Sequence, residues 1–329
     1  MSRSVPTNQP DPSSRAAEPT ESAAEAGAEA RVAVSDELMA PVPTGVEICY
    51  QTFGDPDDEP LLLVMGLGGP MTWWDAELCT RFAEQGFYVV RYDNRDMGRS
   101  SRCEGKVSKR MLVRAFLGRP VAAPYSLSDL AEDAFGLLDH LDLESAHVAG
   151  VSMGGMIAQT MGIARPERVR SLTSIMSTTG KRTVGWQHPS LLPTLMAPRN
   201  GREAYIKASG KVWRIIGSPA YPTTEEDLER RAGETWDRGV NREGVMRQMV
   251  AVLTQPDRTT DLRRLTMPVL VVHGLSDRMV HVSGGRAVAR AVPGCELLLI
   301  EGMGHDMPEP LYDTLAQAVR RNADRSRKD

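Results

Sequence analysis

The chain has 329 residues, a length that fits one large α/β domain carrying an insertion. Hydrophobic residues make up 41% of it and charged residues 25%, which excludes a wholly disordered chain and a membrane bundle. With 39 basic and 43 acidic residues, the net charge of -4 disfavours a surface for nucleic acid.

Cysteine and histidine positions give no sign of a metal or disulfide framework. The 4 cysteines are widely spaced without a CxxC pair, and none of the 6 histidines belongs to an HExxH motif. The N-terminus lacks the apolar run of a signal peptide, and no apolar stretch is long enough to span a bilayer. We therefore expect a cytoplasmic protein without a metal and without stable membrane insertion.

Predicted strands and helices alternate after a polar N-terminal segment. Residues 1–33 are rich in Ala, Glu, Ser, Thr and Pro, and we predict a disordered tail there. The predicted strands lie at 31–39, 46–53, 61–64, 87–90, 146–151, 169–176, 268–272 and 296–300. The predicted helices between and after them lie at 75–85, 127–141, 153–164, 284–291 and 311–322, the second with a capping box at Ser126 and Asp129.

Near-continuous apolar strands separated by helices are typical of a parallel sheet covered on both faces. Between residues 179 and 257 the strand signal disappears, and helical patterns occupy 203–216, 225–236 and 242–253. The apolar stripe predicted for the last helix consists of Met246, Met249, Val250 and Leu253. We predict an α/β core at 34–179 and 257–329, with a helical cap at 180–256 over the strand ends.

Ser152 lies where a predicted strand ends and a predicted helix begins, in the run Gly150-Val151-Ser152-Met153-Gly154. Such a nucleophile elbow holds a serine on a sharp turn, and its glycines remove side chains that would collide with the strand and helix. Amides at the start of the helix stabilise negative charge beside the hydroxyl. We predict Ser152 as a nucleophile, with a tight turn carrying an incidental serine as the structural alternative.

A serine nucleophile needs a base and a carboxylate that orients the base. Asp277 and His305 each follow a predicted strand, and the chain order Ser152, Asp277, His305 matches a nucleophile elbow of this kind. His273 is a rival base, but it directly precedes a glycine and is expected to hold its loop by hydrogen bonding. Asp306 is a rival acid, but an adjacent side chain rarely reaches its neighbour's far ring nitrogen. We therefore predict the triad Ser152, Asp277 and His305.

Two backbone amides must hold the negative oxygen that forms during attack on an ester. Met153 N–H, directly after the nucleophile, is predicted as one donor. The loop at 65–70 is predicted to supply the other donor, Leu67 N–H as first choice and Gly68 N–H as second. A phosphate-cradling loop is the alternative, but GxGxxG needs Gly or Ala where Met71 stands, and no GK[ST] follows.

Four residues near the predicted site are candidates for contact with a substrate. Gly66 and Gly68 belong to the predicted oxyanion loop. Trp73 follows that loop and would line an acyl pocket, although packing is the commoner role of an aromatic residue at a helix start. Met303 lies near His305, and its flexible thioether suits either a pocket for varied apolar groups or the filling of the core.

These motifs resemble those of the α/β-hydrolase superfamily, over about residues 34–322. The resemblance is carried by the loop at 65–69, RYDNRDMGRS at 91–100, GVSMGGMIAQ at 150–159 and GMGHD at 302–306. The motifs are similar to those of actinobacterial carboxylesterase/lipase-like proteins and anthracycline methyl esterases. The resemblance implies eight mostly parallel strands, a cap after the sixth strand, and carboxylic ester hydrolysis without a cofactor. Met65 stands where many relatives carry His, which leaves the anchor of the oxyanion loop open.

We predict a serine hydrolase that cleaves carboxylic esters with apolar, short-to-medium groups through an acyl-enzyme. The expected partner is a small-molecule ester, not nucleic acid, and the chain is expected to be a monomer or a homodimer. Other reactions of the same triad are alternatives: perhydrolysis or haloperoxidation, acyl transfer, and carbon-carbon bond hydrolysis. A receptor-like binding protein is a further alternative, because the fold alone does not exclude it.

Overall fold

The computed structural model describes residues 32–191 and 201–327. Its strands are β1 (Leu38–Pro41), β2 (Glu47–Phe53), β3 (Glu59–Val64), β4 (Phe87–Tyr92), β5 (Ala146–Val151), β6 (Val169–Ile175), β7 (Val269–Gly274) and β8 (Glu296–Ile300). They form one sheet in the order β1-β2-β4-β3-β5-β6-β7-β8. The strand β2 pairs antiparallel with β1 and β4, and all other pairs are parallel. The predicted mostly parallel sheet of eight strands is confirmed.

Helices connect the strands across both faces of the sheet. The described α-helices are α1 (Ala76–Glu84), α2 (Lys109–Phe116), α3 (Leu127–His140), α4 (Met153–Ala164), α5 (Arg202–Ile216), α6 (Glu225–Asp237), α7 (Arg242–Thr254), α8 (Thr259–Leu262), α9 (Ser283–Ala291) and α10 (Tyr312–Asp324). Short 3-10 turns lie at Met71–Trp73, Pro166–Arg168, Pro189–Leu191, Glu309–Leu311 and Arg325–Arg327. Among the described helices, none has both the length and the apolar character needed to cross a bilayer.

The sheet is covered on both faces because its central strands are apolar on both sides. The run Leu61–Val64 in β3 is fully buried, with alternate residues in two separate core clusters. Residues of α3, α4 and α9 pack in one cluster, and residues of α1 and α10 pack in the other. Each central strand is therefore shielded from water on both faces, and burial of its apolar surface stabilises the fold by roughly 25 cal/mol per Å².

Local signals placed most of these elements correctly. Strands β5 and β8 and helix α4 have the predicted bounds. The capping box predicted for α3 is also present: Asp129 N–H donates to Ser126 Oγ, and Ser126 N–H donates to Asp129 Oδ2.

The first strand was predicted too early. Strand β1 begins at Leu38, whereas the predicted strand began near Arg31, and in the described residues 32–37 the one β-bridge joins Val34 to Phe53. An edge strand pairs on one side only, so its apolar pattern is weak. Most of the predicted tail, residues 1–31, lies outside the described residues.

Between β6 and β7 the described chain forms α5, α6, α7 and the short α8, and we call α5, α6 and α7 the inserted helices. Their bounds agree with the three predicted helices, and residues 192–200 of the predicted cap lie outside the described residues. The buried face predicted for α7 was wrong. The buried residues of α7 are Gly244, Arg247, Gln248, Val250 and Ala251, so two long polar side chains are buried there and, of the predicted stripe, Val250 alone is fully buried.

Candidate active site

Ser152 lies in the turn that joins β5 to α4, at the carboxyl edge of the parallel strands. Its backbone has φ 56° and ψ -117°, a conformation that is strained for any residue with a side chain. Hydrogen bonds hold the turn in place: Ser152 N–H donates to Ile175 O at 2.8 Å, and the Ser177 hydroxyl donates to Ser152 O at 2.8 Å. In the described part of the chain, the Ser152 hydroxyl itself makes no hydrogen bond.

The glycines around Ser152 are required by backbone contacts. A Cβ atom on Gly150 would lie 2.2 Å from Gly154 O, and one on Gly154 would lie 2.0 Å from Val64 O. Any side chain at either position would therefore push the strand and the helix apart. Gly66 approaches the serine from the neighbouring loop, since a Cβ there would lie 3.2 Å from Ser152 Cβ.

Asp277 and His305 are in direct contact, although they follow different strands. His305 Nδ1 lies 2.7 Å from Asp277 Oδ2. The other carboxylate oxygen of Asp277, Oδ1, accepts backbone N–H groups from Met279 at 2.8 Å and Val280 at 2.9 Å. Both Asp277 and His305 are buried. Among the described residues, none forms a hydrogen bond with His305 Nε2, so this nitrogen is available for proton transfer.

Asp277 stays ionised in this setting. Burial alone would raise the pKa of its carboxyl group, but the charge of His305 and hydrogen bonds from His273 and His305 lower the pKa to about 2. The stability that this carboxylate contributes is therefore lost only as the pH falls towards about 2.

The rival residues have other contacts. His273 Nε2 lies 2.8 Å from Val280 O, which is the loop contact expected of it, and 3.4 Å from Asp277 Oδ2. Asp306 accepts a hydrogen bond from the Ser218 hydroxyl and lines a cavity of about 480 Å³ with Trp213. Burial raises the pKa of Asp306 more than its Ser218 bond lowers it. The structure thus gives His305 a carboxylate partner, Asp277, that is not its neighbour in sequence.

The predicted oxyanion loop is held at both ends by residues that follow β4. Asn94 Nδ2 donates to Met65 O at 2.9 Å, and Met71 N–H donates to Asp93 Oδ1 at 2.6 Å. These contacts supply the anchor that the sequence left open at Met65. Between them, Gly69 N–H donates to Gly66 O at 3.3 Å and closes a tight turn.

The amides predicted as oxyanion donors differ in whether they already form a hydrogen bond. Within the described residues, the N–H groups of Leu67 and Met153 make no hydrogen bond. Gly68 N–H instead donates to Gln248 Oε1 at 2.9 Å. Of the loop amides predicted from sequence, Leu67 N–H is therefore the one left available.

The two side chains predicted as substrate contacts have packing roles in this structure. Trp73 donates its indole N–H to Thr235 Oγ1 at 3.0 Å and lies edge-on to Trp213, with ring centroids 5.3 Å apart. It therefore joins the oxyanion loop to the inserted helices. Met303 is fully buried within the core cluster that also holds Met65 and Trp74.

Sequence reasoning missed the polar contacts between the inserted helices and the loop after β4. Arg238, just after α6, pairs with Asp93 at 2.7 Å, and Arg247 on α7 pairs with Asp96 at 2.7 Å. The side chains of both pairs are at most 7% exposed. The charged residues of RYDNRDMGRS were a signal that this loop needs partners, but nothing in the sequence identified which helix supplies them.

Comparison with known proteins was consistent with this geometry. A family model described as the alpha/beta hydrolase fold matches residues 59–309. Rhodomycin D methylesterase DnrP from Streptomyces peucetius is 28% identical over 298 residues, covering 83% of this chain and 94% of that protein. The 3-oxoadipate enol-lactonase 2 from Acinetobacter baylyi is 25% identical over 258 residues, covering 78% of this chain and 85% of that protein.

A solved structure supports the same fold. The enol-lactonase from Burkholderia xenovorans LB400 superposes with a TM-score of 0.67 at 19% identity, covering 89% of this chain and 100% of that chain. The resemblance to methyl esterases and to this superfamily is thus confirmed. The chain belongs to the alpha/beta hydrolase fold family.

Proposed function

We propose that the protein hydrolyses carboxylic esters of small, largely apolar molecules through a covalent acyl-enzyme. The observation that carries this proposal is the 2.7 Å contact between His305 and Asp277. It lies at the same edge of the sheet as Ser152, which is held on a strained turn. The methylesterase names of two relatives support ester cleavage, with a methyl ester as a first candidate.

In the proposed reaction, Ser152 Oγ attacks the ester carbonyl carbon while His305 Nε2 takes the hydroxyl proton. Asp277 keeps the proton of His305 on Nδ1 and stabilises the imidazolium that forms. The N–H groups of Met153 and Leu67 hold the oxyanion. His305 then gives the proton to the leaving alcohol, and a water molecule repeats the sequence to release the acid.

The inserted helices are proposed to act as the cap predicted for residues 180–256. Support comes from α7, whose residues contact the oxyanion loop and the loop after β4. A ligand at Ser152 would then be enclosed between the strand ends and these helices, which suits an apolar substrate that must lose its water shell.

The test is the mass of the intact protein after treatment with a fluorophosphonate, with wild type and Ser152→Ala compared. We expect one adduct on the wild type and none on the variant. Heat-denatured wild type is the control and should not be labelled, because activation of the serine depends on the fold. Hydrolysis of p-nitrophenyl esters from acetate to palmitate then ranks acyl length, and kcat of Ser152→Ala should fall by on the order of 10⁴-fold or more.

A Ser152→Ala protein that is still labelled, or that retains most of its esterase activity, would contradict the proposal. Folded wild type that takes no label would favour the receptor-like alternative. Product analysis with water, alcohol or peroxide as acceptor separates hydrolysis from acyl transfer and perhydrolysis.

A further inference from the structure

Gln248 is a fully buried amide on α7 that links two segments of the core. Its Oε1 accepts Gly68 N–H at 2.9 Å, and its Nε2 donates to Arg95 O at 3.1 Å. An amide buried with both ends bonded resists displacement, because losing either partner would leave a polar group without water or protein to satisfy it. Gln248 therefore fixes the distance between the oxyanion loop and the loop after β4.

The middle of the oxyanion loop depends on this contact. Asn94 and Asp93 bind the loop only at its two ends, Met65 O and Met71 N–H. Among the described residues, no other side chain forms a hydrogen bond with the backbone of residues 66–69. The free Leu67 N–H lies in this middle part.

The backbone of Gly68 and its closeness to Val245 support the same arrangement. Gly68 has φ +73°, the left-handed region that favours glycine. A Cβ atom built there would lie 3.4 Å from Val245 Cγ2, so the helix packs directly against the loop. The peptide plane that carries Gly68 N–H is thus set by α7, and the adjacent peptide carries Leu67 N–H.

We propose that Gln248 is a positioning residue: by holding Gly68 N–H, it aims the neighbouring Leu67 N–H at the oxyanion. The inference rests on the proposed function. It assigns to α7 a part in transition-state stabilisation, in addition to covering the site. A donor that is aimed poorly weakens binding of the oxyanion while leaving ground-state binding almost unchanged, so its loss lowers kcat rather than raising KM.

The variant Gln248→Met tests this inference, because methionine has a similar length but neither the donor nor the acceptor. We expect kcat for p-nitrophenyl butyrate to fall about 10- to 100-fold, with KM within about twofold. The inhibition constant of an alkyl trifluoromethyl ketone, which adds to Ser152 Oγ as a tetrahedral adduct, should rise in parallel with the loss of kcat. A merely structural role would lower the melting temperature without this parallel change.

Gln255→Met is the matched control at the other end of α7. The Gln255 side chain contacts Met156, Val252 and Arg258 and does not reach the oxyanion loop. For Gln255→Met, kcat and the inhibition constant of the trifluoromethyl ketone should stay close to the wild-type values. Gln248→Glu keeps an acceptor for Gly68 N–H, and it should retain more of kcat than Gln248→Met.

Wild-type kcat and ketone affinity in folded Gln248→Met would overturn the inference and leave the proposed function intact. Equal losses in Gln248→Met and Gln255→Met would also overturn it, because any change in α7 would then suffice. If Gln248→Met does not fold, Gln248→Glu serves as the test variant. If Gln248→Glu then loses kcat as completely as Ser152→Ala, the positioning role is contradicted. Failure of the proposed function is distinguishable, since wild type would then show neither ester turnover nor Ser152 labelling.

Discussion

At the scale of single residues, Ser152 adopts a backbone conformation that its own side chain disfavours. Such strain costs on the order of 1–3 kcal/mol, and the bonds to Ile175 O and from the Ser177 hydroxyl oppose it. Gly150 and Gly154 make the turn possible because each lies where a Cβ atom would collide with backbone. The strained turn places the Ser152 hydroxyl beyond the strand ends, where it has no hydrogen bond within residues 32–191 and 201–327.

Asp277 divides its two oxygens between two tasks, which makes Asp277→Asn informative. In the variant, the amide oxygen can keep the Met279 and Val280 bonds, so the NH₂ group faces His305 Nδ1. That group donates to Nδ1 and leaves the proton on Nε2, where it prevents His305 from accepting the Ser152 proton. We expect kcat to fall by about 10³- to 10⁴-fold in a folded protein, as measured by steady-state kinetics.

Asp306→Asn is the matched control for this prediction, because it makes the same chemical change beside His305. In the wild type, the Asp306 carboxylate accepts a hydrogen bond from Ser218 and none from the imidazole, so kcat of Asp306→Asn should change little. Similar losses of kcat in the two variants would mean that the carboxylate partner of His305 has been assigned wrongly.

At the scale of elements, α7 shows how a helix can bury polar residues. Its inner face meets a loop rich in charged groups, so Arg247 and Gln248 are buried, although the apolar periodicity of the sequence points to a different face of the helix. Asp96 receives hydrogen bonds from Arg247, Tyr125 and Cys103 N–H. Burial alone would raise the pKa of Asp96, but these bonds lower it.

The pair Arg247–Asp96 predicts a non-additive double-mutant cycle. Arg247→Met leaves a buried carboxylate without its cation, which should lower the free energy of unfolding by about 3–5 kcal/mol. Adding Asp96→Asn removes that charge and should recover part of the loss. Urea denaturation of wild type, both single variants and the double variant measures the coupling. Strictly additive losses would show that the pair is not coupled in the folded protein.

At the scale of the whole molecule, the sheet buries titratable groups as well as apolar ones. His147 on β5 is 1% exposed, packs against Phe87, and lies 2.8 Å from Ser171 Oγ. Burial lowers the pKa of His147 to about 4. Nearby Arg320, Arg170 and Arg327 act in the same direction, and Glu59 opposes them.

The lowered pKa of His147 predicts acid sensitivity of the fold. Between about pH 6.5 and about pH 4 the unfolded chain binds a proton at this histidine and the folded chain does not. The free energy of unfolding therefore decreases as the pH is lowered through this range. The loss attributable to His147 is about 3 kcal/mol and is complete below about pH 4. Urea titrations across this range should show a shallower pH dependence for His147→Gln. If the free energy of unfolding depends on pH as steeply in His147→Gln as in wild type, other groups cause the acid sensitivity.

The sequence by itself determined the features that depend on neighbours along the chain. The apolar runs of β5 and β8, the capping box at Ser126 and the glycine spacing around Ser152 were all readable, because their causes lie within a few residues. The order of Ser152, Asp277 and His305 was readable for a related reason, since each candidate lies within a few residues after a strand and parallel strands end at one edge.

Only the tertiary structure decided which distant groups meet. Gln248 and Gly68 are 180 residues apart, and Arg247 and Asp96 are 151 apart. Their contact depends on the angle at which α7 packs onto the core, which helical periodicity does not encode. The same packing occupies Gly68 N–H and, among the described residues, leaves Leu67 N–H without a hydrogen bond. It also buries Arg247 and Gln248 rather than the predicted apolar stripe, and Gln248 becomes the polar support of the oxyanion loop.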